Sequence, residues 1–422
     1  MRKIFFLLQI FLLLLSFNTN SQNIKNGELT FTDYLKNVQD YNKTYAIEKL
    51  NVSIAELNIA SAKAFEDPEL FIGYFDNGEK KHQLGFGYES ELEWKLELGG
   101  KRKARINLAK SEYKLTQSIL LNYFKNLKAD ATLIYFEALQ NEKIFKVKSN
   151  SYQAMKELAK SDSIRFALGE ISEINAKQSK TEALGLKNEV LNAEMNYKHK
   201  LIQLGLLMGE TDYNFILNAN FPRVDKEFDL NLLEDLALEN RTDLVAALQS
   251  KEISKRNIEL AKANRAIDLG LKFGIEYNSI VRNEIAETPK FTKIGGGVVI
   301  PLKFSNKRNN ELKIAQLAYD QSQQLYDLAQ LEVLADVNQA YISFISNKKQ
   351  VQTFNLGLLE QAKVVLEGKF YSYKRGETSL LDVLDSQRTY NEIEEKYYET
   401  LFNYTASLIE LERATGTQNM MF

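Results

Sequence analysis

Much of this 422-residue chain is written twice. Ala62-Lys63-Ala64, Leu96 to Tyr113 and Gly169 to Gly209 have counterparts at Ala261-Lys262-Ala263, Leu302 to Tyr319 and Gly376 to Gly416. Within them Lys101-Arg102, Ile106, Ala109 and Tyr113 line up with Lys307-Arg308, Leu312, Ala315 and Tyr319, and Gly169, Ser172 and Gly209 with Gly376, Ser379 and Gly416. The period far exceeds the roughly 20 to 50 residues of a solenoid repeat, so each copy must hold several elements. A tandem duplication with pseudo-twofold halves follows. The offset is 199 residues at Ala62 and 206 at Lys101, which places a longer connection inside the second copy.

Proline sharpens the picture. Pro68, Pro222, Pro289 and Pro301 are the only four, and none falls within 69–221 or 302–422. Two very long helical stretches are therefore permitted, about 99–166 and 306–373. In the second, Leu334, Val337, Tyr341, Phe344, Val351, Phe354, Leu358, Ala362 and Val365 form a coiled-coil-like seam; in the first, Leu127, Ile134, Tyr135, Ala138, Ile144 and Val147 make a similar stripe. Each run reverses at a glycine turn, Ala167-Leu168-Gly169-Glu170 or Lys374-Arg375-Gly376-Glu377, where Ser172 and Thr378 or Ser379 cap a returning helix. Between the shorter and longer helices of each copy lie two aromatic-rich segments that read as strands, 70–76 and 83–94, then 269–278 and 291–301, with Asp76-Asn77-Gly78 as a turn signal. Four such strands cannot close a barrel alone, but an oligomer pooling them around an axis can. A small soluble sheet capping a helical bundle is the competing reading.

The predicted organisation is a signal peptide over 1–21, a first repeat over 22–210, a linking segment over 211–228 and a second repeat over 229–422. Arg2 and Lys3 followed by the apolar run Ile4 to Leu15 and Thr19-Asn20-Ser21 read as an export signal, too short to span a bilayer. The absence of cysteine excludes disulfides and amino-terminal lipidation, and with only His82 and His199 no ordinary transition-metal site is expected. A net charge of -2 over 54 basic and 56 acidic side chains leaves no footprint for nucleic acid. Leu98-Gly99-Gly100-Lys101 is not a phosphate loop, and Gly295-Gly296-Gly297 lacks dinucleotide spacing, marking instead close backbone approach or barrel curvature. With no nucleophile or metal constellation, neither an enzyme nor a cofactor is expected.

Asn240-Arg241-Thr242-Asp243-Leu244, Ala261-Lys262-Ala263-Asn264-Arg265, Val299-Ile300-Pro301-Leu302, Gly376 to Asp385 and the terminal Leu411-Glu412-Arg413-Ala414-Thr415-Gly416 together resemble the TolC-type outer-membrane efflux family, the outer membrane factors. The resemblance covers nearly the whole mature chain. It implies a mainly α fold with a small β part: a homotrimer in which each chain gives four strands to a shared twelve-stranded β-barrel in outer-membrane lipid and its helices to a long antiparallel coiled-coil barrel in the periplasm. It further implies a passive exit duct of a tripartite efflux or secretion system, served by a periplasmic adaptor (membrane fusion protein) and an inner-membrane pump of RND or ABC type. The alternative is a non-conducting periplasmic coiled-coil scaffold, which lipid-facing alternation on all four strands would argue against.

In this family the helix turns form the periplasmic entrance. Asp382 and Asp385 match an acidic segment at the pore, and Tyr373 an aromatic position that holds the closed entrance. As i and i+3 the two carboxylates share a helix face, so threefold symmetry would gather them into a cation-attracting ring. Gly169, Ser172, Gly376 and Ser379 sit at the turn tips expected to meet the adaptor. Two positions depart from the pattern: Asn175 stands where an acidic partner is expected, and Thr378 where some members place a basic gate residue. Ile267 stands where the second copy would carry the proline that Pro68 supplies in the first.

Overall fold

The computed structural model describes residues 28–78, 83–222 and 227–417. The expected signal peptide and His82 lie outside the described residues. In chain order the elements are β1 (Glu28–Thr30), α1 (Phe31–Tyr41), α2 (Lys43–Lys63), β2 (Glu69–Asp76), β3 (Phe86–Leu96), α3 (Lys101–Ala167), α4 (Glu173–Met208), β4 (Ile216–Asn218), α5 (Leu230–Asn240), α6 (Thr242–Ala263), β5 (Leu269–Asn278), β6 (Phe291–Val299), α7 (Lys307–Thr353), a π turn (Phe354–Leu358), α8 (Leu359–Lys374) and α9 (Leu380–Thr415). Both halves follow one order: two helices, two strands, a long helix, a returning helix. No helix among the described residues is long and apolar enough to cross a membrane.

The contacts divide into two units. One comprises the described residues up to Tyr41, Ile134–Phe221 and Ala362–Tyr398. There β1 and β4 pair in parallel, Leu29 opposite Leu217, and the buried Tyr135 hydroxyl donates to the Leu29 carbonyl at 2.9 Å. Farther along the same helices Met155, Leu158, Ala159, Ala183, Leu186, Leu380, Val383 and Leu384 form a closed core around Tyr373. These positions recur on α3, α4 and α9 at the three- and four-residue spacing of facing helices.

The other unit comprises Asn42–Leu133, Pro222–Gln361 and the chain from Glu399. Its sheet is wholly antiparallel, in the order β2-β3-β5-β6. The connection between β5 and β6, residues 279–290, is longer than that between β2 and β3, residues 77–85, in keeping with the lengthening offset. Several quoted motifs meet here. Arg241 pairs with Asp243 and Asp336 and donates to the Ala414 carbonyl, Thr242 bonds Asn122, and Lys125 donates to the carbonyls of Asn240 and Gly416. A side chain at Gly416, where φ is 65°, would meet the Asn240 oxygen at 2.7 Å. These motif residues therefore hold the fold together rather than form a binding site.

One feature of α7 departs from the sequence expectation. The offset between the halves is 206 from Lys101 to Lys307 but 207 from Gly169 to Gly376, so the second half carries one additional residue between them. It is absorbed in the π turn, where Gly357 adopts φ 101°. An extra residue rotates everything after it by about 100° on a helix of 3.6 residues per turn. Accordingly Leu358 and Val365, expected in the seam, are 40% and 55% exposed, and the buried stripe continues one position later through Leu366 and Tyr373.

Candidate functional site

Two regions carry functional character, the sheet and the paired helix turns. In the sheet, register decides which residues share a face, because side chains alternate with a period of two. Tyr74 lies opposite Tyr88, Tyr88 opposite Tyr277 and Tyr277 opposite Thr292; one row along are Ile72, Ser90, Ile275 and Ile294, and then Leu70, Leu92, Phe273 and Gly296. Trp94, Leu271 and Val298 continue this face, whose one charged strand residue is Asp76 at the turn end, opposite Phe86. It is open to the surroundings: Ile72 is 73%, Phe273 60% and Ile294 81% exposed.

The opposite face holds Glu69, Glu89, Glu91, Glu93 and Glu276 against Lys95, Lys272 and Lys293. Lys272 bridges Glu91 and Glu93 across two strands, and Lys293 pairs with Glu276. The three consecutive glycines divide between the faces. A side chain at Gly296 would stand 3.6 Å from the Phe273 ring, while one at Gly295 or Gly297 would meet nothing within 4 Å. Close backbone approach is therefore not why Gly295 and Gly297 are glycine. Among the described residues, edges β2 and β6 have no partner strand.

The helix turns are two versions of one device. After α3, Gly169 takes φ 80°, and the Gly169 and Glu170 amides donate to the Phe166 and Arg165 carbonyls; after α8, Gly376 takes φ 78° with matching bonds from Gly376 to Tyr373 and Glu377 to Ser372. Left-handed φ is cheap only for glycine, so both ends close as Schellman motifs. Ser172 then caps α4 by accepting from the Asn175 amide at 3.2 Å.

The second turn is more elaborate. Ser379 Oγ accepts from the Asp382 amide at 3.2 Å while Asp382 Oδ2 accepts from the Ser379 amide at 3.1 Å, a reciprocal capping box. The Ser379 and Thr378 hydroxyls donate to the same oxygen at 2.6 and 2.8 Å, and Lys369 Nζ stands 3.8 Å from Oδ1. These donors, Ser379 first, hold the Asp382 carboxyl down at about 2. Thr378, at the expected basic gate position, is thus a hydroxyl donor to Asp382, and Lys369 supplies the nearby positive charge. Asp385 is exposed, one turn from Arg388, whose guanidinium is engaged bidentately by Glu182.

Tyr373 does not join Asp382. Its hydroxyl donates to Asp162 Oδ1 at 3.0 Å inside the core, so α8 is bonded to α3. Burial and the Asp162 carboxylate push the Tyr373 hydroxyl up to about 12. Asp162 is fully buried, its Oδ2 has no hydrogen-bond partner, and Arg165 Nη1 approaches Oδ1 only to 3.9 Å.

The family model for "Outer membrane efflux protein" matches residues 233–417. That match lies in the second half of the chain. The cobalt-zinc-cadmium resistance protein CzcC of Cupriavidus metallidurans is 23% identical over 380 residues, 89% of this chain and 87% of that protein. Outer membrane protein TolC of Vibrio cholerae is 24% identical over 189 residues, 44% of this chain and 43% of that one. Among solved structures, the Campylobacter jejuni CmeC outer membrane channel superposes with a TM-score of 0.74 at 15% identity, covering 91% of this chain and 85% of CmeC. A membrane protein from Pseudomonas aeruginosa gives 0.74 at 16%, covering 91% and 93%. These likenesses fix the fold.

Asp162 was not visible as a candidate from sequence. It lies near the carboxyl end of α3 among lysines and serines, and only the long-range contact with α8 distinguishes it. The signal available was a lone aspartate on the apolar stripe through Met155, Leu158 and Ala159. Among the described residues no cluster of His, Asp and Glu is arranged to hold a metal ion.

Proposed function

We propose that the protein is the outer-membrane exit duct of a tripartite efflux or secretion system, carrying cargo passively from a periplasmic adaptor and inner-membrane pump to the exterior. The observation that carries this is the sheet: one face apolar and exposed across all four strands, its single charge Asp76 at the turn end, the other face charged, and both edges free among the described residues. A cap on a soluble bundle would bury that apolar face, whereas a barrel strand presents it to lipid. Strand lengths of 8, 11, 10 and 9 residues suit a spanning strand of about 9 to 11.

Three copies supply the remaining strands. The helices continuous with the free edges bear exposed apolar stripes: Ile47, Leu50, Ile54 and Leu57 on α2, which leads into β2, and Ile314, Leu317, Leu328 and Leu331 on α7, which follows β6. Both stripes repeat at multiples of seven, as helices seeking a coiled-coil partner do. Pairing β6 of one protomer with β2 of the next brings α7 beside the neighbour's α2, a head-to-tail interface that closes as a ring. At the entrance, the Tyr373 to Asp162 bond acts as the latch, Asp385 is the carboxylate free to face the pore, and the tips at Gly169, Ser172, Gly376 and Ser379 meet the adaptor.

The test is single-channel recording of the purified protein in a planar bilayer, with and without a trivalent cation on the periplasmic side. Discrete cation-selective openings that the trivalent ion blocks are expected, with selectivity reduced in D382N/D385N. A protein that never inserts favours the periplasmic scaffold.

A further inference from the structure

The two halves share a backbone plan but differ in chemistry along α8 and α9. At the offset of 207 that aligns Gly169 with Gly376, Glu367 and Glu394 stand where the first half has Lys160 and Lys187. Phe370, Tyr371 and Tyr390 stand where it has Ser163, Ile164 and Ala183. Duplication of a scaffold gives no reason to exchange lysine for glutamate, or small side chains for rings. In the folded chain these five second-half side chains converge on one cavity of about 760 Å³ between α3, α8 and α9. That volume suits a small organic molecule and far exceeds what a metal ion needs.

The wall of the cavity holds an unmet demand of each kind. Ser151 and Gln387, both buried, line it, and both donate to Asn391 Oδ1, at 2.5 and 2.8 Å. Gln387 Oε1 is left buried with no hydrogen-bond partner among the described residues. A buried acceptor left unpaired costs more than a typical hydrogen bond contributes, so this amide favours a donor from outside the chain. Charge is equally unbalanced. Among the described lining residues Glu157, Glu367 and Glu394 face a single cation, Lys374. Burial above all raises the Glu394 carboxyl, against the opposing effect of its bond to the Tyr390 hydroxyl. Of the rings, Tyr371 already has the Arg375 guanidinium 5.4 Å from its centre, which leaves Phe370 and Tyr390 for another cation. On α9 Gln387, Tyr390 and Glu394 follow at spacings of three and four residues, so one face presents acceptor, ring and carboxylate over about 10 Å.

We propose that the cavity between α3, α8 and α9 binds a hydrophobic organic cation bearing an N–H donor. Its positive charge lies among Glu157, Glu367 and Glu394, its apolar body against Phe370 and Tyr390, and its donor on Gln387 Oε1. The site stands on these residues alone, whether or not the chain conducts.

Ethidium is a suitable probe, because it joins a quaternary nitrogen to flat rings that carry amino groups. Its uncharged phenanthridine counterpart keeps the rings and the amino donors and lacks the charge. Fluorescence titration of the purified full chain in detergent, with the signal of empty micelles subtracted, is expected to show saturable binding of ethidium at least about tenfold tighter than of the counterpart. E367Q/E394Q, which keeps the shape of the wall, should weaken ethidium about tenfold, and Q387L about fivefold. E173Q/E194Q, which removes two carboxylates from α4 outside the cavity, should leave binding unchanged. Equal affinity for the two probes overturns the site, as does undiminished binding in E367Q/E394Q or in a folded Q387L. An equal loss in E173Q/E194Q also overturns it, since that result marks general attraction to an acidic surface. Should Q387L fail to fold, the two probes and the glutamine variants still decide the matter.

Discussion

Tyr373→Phe isolates the latch more cleanly than any other single change. The ring and its place among Met155, Leu158 and Leu384 are kept, and one hydroxyl is lost. That hydroxyl donates to a carboxylate at 0% exposure whose other oxygen has no partner and whose nearest guanidinium is 3.9 Å away. A hydrogen bond to a buried charged group contributes about 1.5 to 3 kcal/mol, and no neighbour stands ready to replace this one. Taking about 2 kcal/mol, the attachment of α8 to α3 weakens about thirtyfold at 1.4 kcal/mol per factor of ten. In bilayer recordings the open fraction should rise by up to that factor, with conductance unchanged. D162N replaces the charged acceptor by a neutral one, so Y373F should cost less in that background, and the double-mutant cycle should show coupling. A change under about twofold, or identical effects of Y373F in both backgrounds, refutes the latch. The pH dependence has a definite sign. Because the folded hydroxyl titrates near 12 and an unfolded tyrosine near 10, the contribution is whole below pH 10 and is lost as pH rises from 10 to 12.

The two-faced sheet makes neighbouring positions behave oppositely. Ile294→Lys sets a charge on the apolar face and should cost about 2 to 4 kcal/mol near mid-membrane, seen as loss of heat-resistant trimer from outer-membrane fractions; Gly295→Lys, on the charged face, should assemble normally. Equal tolerance at both positions would remove the lipid-facing assignment. For Asp382, a carboxyl depressed to about 2 stays ionised well below the usual range, so its contribution to the turn is present above about pH 4 and lost as pH falls towards 2. Ser379→Ala removes the first of its donors and should move that loss to higher pH, read from the acid limb of thermal melting; an unshifted acid limb contradicts the capping box.

Much of the architecture was legible because its signals are local. Proline placement permits the long helices, glycine at φ near 80° ends them, and aromatic runs between turn signals mark the strands. The capping serines at 172 and 379 were readable for the same reason. Longer-range features were not. The β1–β4 pairing joins two three-residue segments almost 190 positions apart, too short to carry a pattern. The seam after Leu358 was misassigned because the heptad count ran straight through the extra residue, although the change of offset between Lys101 and Gly169 already held the clue. At the entrance, the hydroxyls of Thr378 and Ser379 that bind the Asp382 carboxylate were readable only as helix caps. Asp162 carried no motif at all, since its role depends on where Tyr373 folds.

The free edges at β2 and β6 have a consequence for biogenesis. A lone copy in water holds two unsatisfied rows of backbone donors and acceptors beside an uncovered apolar surface, the makings of indiscriminate strand addition. Any open string of copies, however long, still ends in one naked β2 and one naked β6. Only a closed ring has no ends. Folding of the sheet, counting of subunits and entry into lipid are thus expected to finish as a single event.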